Sequence, residues 1–307
     1  MDSLLTITAG RYVAGVCPQP GGALAYFGLA GDSGIEFVRP ASARVFAEHN
    51  VRLTSCYPLV PYSNRIGDGR FGFGGVDHLL QPNSSLSPHP LHGVGWLHDW
   101  VVSAAAPERI ELAFTHARRG PDDPDWPWSF GATQTITLDA EGLRIALTLT
   151  NYDDRPMPAG IGLHPFFPKS PRMEARFACA AVWENDARML PKERVAVPDA
   201  WDYAQLRPVA DLTVDNCFAG WSREAELRWP ERGWGLRIAG SEVFGHLVVF
   251  TSPARDAIAI EPVSHANNAV NLAATRADTG LAVLAPGAAL SGTMTLTPFR
   301  LDDDPHA

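Results

Sequence analysis

The sequence predicts an all-β protein built mainly from antiparallel strands, with few short helices. Three observations carry that expectation. Glycine (27) and proline (26) are frequent among the 307 residues and spread throughout, a density at which long helices are interrupted. Leu143, Ile145, Leu147 and Leu149 alternate with Arg144, Ala146, Thr148 and Thr150, the period of two that belongs to a half-buried strand. Ala140-Glu141-Gly142 separates that run from Thr133–Leu138 and reads as a hairpin turn.

The remaining elements follow in chain order. Val45–Arg52 reads as a short helical piece. Phe71-Gly72-Phe73-Gly74-Gly75 reads as strand and turn, and no periodic helix follows that would make it a phosphate loop. Ile110–Thr115 alternates, with Ile110, Leu112 and Phe114 on one side. Gly120–Trp128, with three prolines and three aspartates, is expected to be an exposed loop. Leu247–Thr251, Ala257–Ile260 and Ser291–Thr297 are further strands, and Asn267–Thr275 a second short helical piece. No composition break, linker or repeat divides the chain, so one domain over residues 1–307 is expected; all-β sandwiches reach this size as one unit.

Composition narrows the partners. A hydrophobic content of 46% suits a globular chain with a substantial core. The net charge of −9 argues against nucleic acid or an anionic membrane, both of which need a basic surface. The N-terminus lacks a basic stretch followed by a long apolar run, so no secretion signal is read. The longest apolar stretches are too short to span a bilayer. Cys17, Cys56, Cys179 and Cys217 are far apart and form no CxxC pair. Reduced thiols in the cytoplasm are the expectation.

Chemistry is concentrated in five polar clusters framed by chain-bending residues. They are Pro61-Tyr62-Ser63-Asn64-Arg65-Ile66, Pro90-Leu91-His92-Gly93, Gly162-Leu163-His164-Pro165-Phe166-Phe167, Thr213-Val214-Asp215-Asn216 and Ile258-Ala259-Ile260-Glu261-Pro262. Their imidazoles, carboxylates and guanidinium meet only in a folded cleft, and that mixture suits proton transfer on a polyhydroxylated ligand.

Glu261 follows Ile258-Ala259-Ile260, so it is expected to end a strand that Pro262 stops. Partial desolvation there raises a carboxyl pKa and makes a better base near neutrality. His164, extended by the proline after it and set among apolar residues, titrates near neutrality and can hold or deliver a proton. His92 lies among glycines that allow close approach of a ligand, and Trp96 offers a flat face for a sugar ring. Asn64 and Arg65 supply donors and an acceptor for hydroxyls, and Asp215 can accept two vicinal hydroxyl protons. Read singly, each residue is as well explained by a turn, a strand end or a satisfied core histidine. His89 and His92 form an HxxH, but Pro90 between them fits neither helical nor alternate-strand metal spacing. No Gly-x-Ser-x-Gly turn, P-loop or Rossmann fingerprint is present.

At these residues the chain resembles the aldose 1-epimerase (galactose mutarotase-like) family. The matches, in order, are Asn64-Arg65-Ile66, Leu91-His92-Gly93, Gly162-Leu163-His164-Pro165-Phe166-Phe167, Val214-Asp215 and Ile260-Glu261-Pro262, with Val283-Leu284-Ala285-Pro286-Gly287 a weaker one before the last strand. The resemblance implies a large antiparallel β-sandwich, the galactose mutarotase-like supersandwich, with a cleft across one curved sheet. It also implies cofactor-free, metal-free interconversion of the α and β anomers of an aldose. Glu261 then looks like the general base and His164 like the general acid, with Asn64, Arg65, His92 and Asp215 binding sugar hydroxyls. Where many mutarotases carry Asn-x-x-Tyr-Phe, this chain has Leu163-His164-Pro165-Phe166-Phe167, which points to a distinct bacterial branch.

Three other functions are compatible with the same residues. One is a hexose-6-phosphate 1-epimerase of the same fold, for which Arg65 and Arg70 are available although nothing in the sequence marks a phosphate cluster. Another is a non-catalytic sugar-binding protein. The third is a metal-dependent enzyme built on His89, His92, His164 and Glu261. The sugar itself and the oligomeric state are not legible.

Overall fold

Alternating side chains along the strands expected from the sequence make two apolar faces, and the chain buries them against each other. The computed structural model describes residues 4–31 and 34–303. Seventeen strands join in one antiparallel, hydrogen-bonded sheet that doubles over into two layers.

One layer runs through Val101–Ala106, Arg109–His116, Phe130–Leu138, Leu143–Asn151, Ala289–Arg300 and Trp234–Gly240. The other runs through Tyr12–Cys17, Ala23–Leu29, Cys56–Leu59, Gly162–Pro168, Ala257–Val263 and His246–Thr251. The long strand Val214–Trp229 serves both. Val214–Ala219 pairs with His246–Thr251, and Glu224–Trp229 pairs with Trp234–Gly240. Between those halves Gly220 and Arg223 take positive φ, which turns the strand from one layer into the other.

The inner faces share one core. Ile136, Ile145, Leu147, Met294 and Leu296 of the first layer are buried in the same cluster as Leu163, Phe167, Leu247, Ile258 and Ile260 of the second. This is the packing of an antiparallel sandwich. The Thr133–Leu138 and Leu143–Asn151 hairpin is in the expected register, Leu143 opposite Leu138. Phe71–Gly75 forms the end of one short strand and its turn. The two helical pieces are shorter than expected. Val45–Arg52 is mostly turn leading into a 3-10 turn at Val51–Leu53, and Asn267–Thr275 keeps a single helical turn at Ala269–Leu272.

Gly120–Trp128 departs from the exposed loop expected of it. Asp123, Trp126 and Trp128 are buried, because both indoles stack against Phe71. Proline and aspartate content signals irregular backbone but not where a loop's aromatic residues point. The thiols are unpaired, and burial raises Cys17 to about 11. Among the described residues no helix is long and apolar enough to cross a membrane.

Candidate active site

The outer face of the second layer carries the site. Period-two alternation puts Leu163, Phe167, Ile258 and Ile260 inward, so His164, Phe166, Ala259 and Glu261 point the other way. Tyr57 pairs with His164. The pairs Gly162↔Val263 and Phe166↔Ala259 set His164 opposite Glu261, and Glu261 pairs with Val248. One row across three adjacent strands therefore reads Tyr57, His164, Glu261, then Val248 on a fourth. The next row reads Phe166, Ala259, Phe250, Asp215.

Glu261 is not at the end of its strand. The strand continues to Val263 and is buried throughout, and Pro262 sits inside the sheet opposite Leu247. Proline costs a ladder bond there. The loss falls between Gly162↔Val263 and Phe166↔Ala259, where Pro165 on the facing strand also lacks an N–H. The two prolines thus coincide with the gap in the ladder beside His164 and Glu261.

In that gap His164 Nε2 and Glu261 Oε1 lie 3.2 Å apart, with the residues 6% and 2% exposed. Both line a cleft of about 280 Å³, close to the lower limit for small-molecule sites. His164 Nδ1 and Glu261 Oε2 are buried without a hydrogen-bond partner among the described residues. Burial, with a lesser contribution from Arg39, lowers His164 to about 3. Burial, reinforced by Asp215 and opposed by Arg65, raises Glu261 well above the usual carboxylate range. Burial thus pushes each group toward its neutral form, the imidazole unprotonated and the carboxyl protonated. That differs from a resting ionised glutamate beside a resting imidazolium.

Loops bring in the other candidates. Asn64 and His92 both take left-handed backbone, φ 59° and 61°. Bridges Arg65↔Leu91 and Val60↔Gly93 lash their two loops together. The Asn64 backbone N–H donates to His92 Nδ1 at 3.1 Å, so the imidazole proton is on Nε2. Burial, then His164 and Arg65, hold His92 well below its ordinary value. It is a neutral donor, with its ring 5.4 Å from that of His164. Asn64 Oδ1 accepts from the Arg65 backbone and guanidinium at 3.0 and 3.1 Å. The guanidinium lies 3.8 Å from Asp215 Oδ2.

All six expected site residues, Asn64, Arg65, His92, His164, Asp215 and Glu261, line this one cleft. Arg70 and His89 are not among its lining residues; His89 Nδ1 instead accepts the Asp68 backbone N–H at 3.0 Å. Among the described residues no group of three or more His, Cys, Asp or Glu side chains is placed to hold a metal ion.

The aldose 1-epimerase sequence model matches residues 3–297. The chain belongs to the aldose 1-epimerase family. The protein YphB of Escherichia coli K12 is 31% identical over 251 residues, 79% of this chain and 83% of YphB. A crystal structure of a candidate aldose 1-epimerase from Escherichia coli K12 superposes with a TM-score of 0.87 at 27% identity, covering 97% of this chain and 99% of that one. A galactose mutarotase-like protein of Clostridium acetobutylicum gives a TM-score of 0.85 at 19% identity, covering 97% and 95%. The supersandwich expected from the sequence is therefore the fold of this family member.

Tyr57, Asn83 and three arginines around the cleft of this aldose 1-epimerase family member carried no sequence signal, whereas Trp96 was expected there as a flat face for a sugar ring. Tyr57 packs its ring 4.7 Å from that of His164. Trp96 is 2% exposed and stacks on Tyr57. Its indole N–H donates to the Leu91 and Gly93 carbonyls at 3.1 Å, so it also steadies the His92 turn. Asn83 holds the same turn through three bonds of 2.8–2.9 Å to Leu91 and Gly93. Arg39, Arg52 and Arg255 line the cleft as well.

Proposed function

We propose that the protein interconverts the α and β anomers of an aldose by acid–base ring opening and closure, with side chains alone. The observation that carries this is the buried His164–Glu261 pair, 3.2 Å apart in a cleft of sugar size. A cyclic aldose is a hemiacetal. Opening it removes the proton from the C1 hydroxyl and delivers one to the ring oxygen O5, leaving the proton count of the enzyme unchanged. A pair that shares one proton matches that balance.

In the proposed cycle a bound sugar draws the shared proton onto His164. Glu261 then takes the C1 hydroxyl proton while His164 gives its proton to O5. The C1–O5 bond breaks, giving the free aldehyde, and rotation about C1–C2 presents its other face. Closure reverses each transfer. A positioned acid or base contributes roughly 10²–10⁴ in rate, and holding both against one ring adds an orientation effect. The Nε2–H of His92 stabilises partial negative charge on O5. Asn64, Arg65 and Asp215 hold hydroxyls, with the Arg65–Asp215 contact presenting donors and acceptors side by side.

Anomer exchange of common aldoses, followed by NMR exchange spectroscopy or polarimetry, tests the reading. At least one sugar exchanges faster with the protein than in buffer; none doing so would overturn it.

A further inference from the structure

Three guanidiniums in the cleft have no role in the chemistry above. Arg39 lies with its guanidinium carbon 3.9 Å from the centre of the Phe166 ring. It donates to the Arg52 and Thr54 carbonyls at 2.8 and 2.6 Å. Those carbonyls fix its position without neutralising it. Arg255 lies 4.0 Å over the Phe250 ring. Arg52 donates to Asn50 Oδ1 at 3.3 Å. Among the described residues none of the three has a carboxylate at ion-pair distance. Asp256, the acid with the largest influence on Arg39, does not line the cleft.

The charge of the cleft follows from its lining. Arg65 faces Asp215. His164 faces Glu261 at 3.2 Å. Arg39, Arg52 and Arg255 remain, three cationic side chains without a facing carboxylate in a chain whose net charge is −9. Like charges gathered in a half-buried cleft repel one another, and Arg255 opposes the charge on Arg39. An ordinary hydroxyl-binding site does not need that arrangement.

Their position is defined by the sheet. Phe166 and Phe250 both pair with Ala259. The two stacked guanidiniums therefore flank a small residue, one strand step along from the His164–Glu261 row. That step spans two residues, roughly 7 Å, the scale of a pyranose ring with one substituent. Arg39 stands over the strand that carries His164.

We propose that the sugar bound here is anionic, with a carboxylate or phosphate group remote from C1 that is received by Arg39, Arg52 and Arg255. This rests on the anomer-exchange reading of the same cleft and adds the substrate class. Guanidinium forks match either anion, so the two are separated by experiment.

The test compares kcat/KM for anomer exchange of a hexose, the matching hexuronate and the matching hexose 6-phosphate, with wild type and with Arg255→Glu and Arg52→Glu. One of the anionic sugars is expected to exceed the hexose by roughly 10- to 100-fold, and each charge reversal to cut that ratio by about tenfold. The better of the two identifies the anion. A hexose handled as well as both acids, or a preference unmoved by the substitutions, overturns the proposal. If no sugar exchanges, the anomer-exchange reading fails, and calorimetric titration with the hexuronate and the hexose 6-phosphate decides this one. Saturable binding weakened by Arg255→Glu supports it; no binding of either overturns it.

Discussion

Asn64 and His92 exchange hydrogen bonds. The Asn64 backbone N–H donates to His92 Nδ1 at 3.1 Å, and the His92 backbone N–H donates to the Asn64 carbonyl at 2.8 Å. The first bond fixes the tautomer and the second fixes the turn, so two segments far apart in sequence aim one neutral N–H into the cleft. His92→Phe preserves ring shape and removes that donor. Its kcat for anomer exchange is expected to fall by about 10²-fold, the scale for one preorganised donor, with KM changing less. Steady-state kinetics on the best sugar checks this.

The pH profile reports the shared proton. Below the His164 value of about 3 both groups are protonated and no base remains. Above the raised value of Glu261 both have lost their protons and no acid remains. The kcat/KM profile is therefore a broad plateau, with its alkaline limb well above the ordinary carboxylate range. Tyr57, His92, Arg39, Arg65 and Asp215 also face this pair. The limb should persist in His92→Phe and move to lower pH in Asp215→Asn, because the Asp215 carboxylate helps to raise Glu261. An alkaline limb at the usual carboxylate pKa contradicts the one-proton account.

Gly93 is required by the backbone. It has φ 70°, and a Cβ there would sit 2.2 Å from the Val60 carbonyl oxygen. Gly93→Ala combines left-handed strain with a clash against backbone that cannot swing aside. A loss of about 2 kcal/mol or more is expected in urea unfolding, together with slower exchange, because the displaced turn carries His92.

Asp123 pins the loop that the sequence presents as exposed. Burial by itself raises its pKa, but the Arg119 guanidinium and the backbone N–H groups of Arg119 and Asp125 outweigh that and leave it at about 2. The folded value is depressed, so its stabilisation is present above the unfolded carboxyl pKa and is lost as pH falls through about 2. Asp123→Ala is expected to cost about 2 kcal/mol near neutrality. The difference from wild type should shrink in acid unfolding curves recorded toward pH 2.

The strands were legible where alternation is strong, as in Leu143–Asn151, and so were the side chains of the cleft where each sat in a polar island among apolar neighbours. Glu261 was misplaced at a strand end because Pro262 normally stops a ladder; here its missing N–H faces a strand that carries Pro165. Arg39, Arg52 and Arg255 left no trace, since their convergence depends on which loops the sheet brings together. The rise of Glu261 was legible in its apolar neighbours, but the lowering of His164 to about 3 was not, because it follows from depth of burial and not from residue type.

Substitution of the buried pair is the most direct test of the central claim. With the best sugar, NMR anomer exchange is measured for wild type, Glu261→Gln and His164→Asn, each shown to be folded by its circular dichroism spectrum. The account predicts that each substitution slows the protein-dependent exchange by roughly 10²–10⁴-fold, and that the double variant is little slower than either, since one proton passes between the two groups. Folded single variants that exchange at the wild-type rate would contradict it.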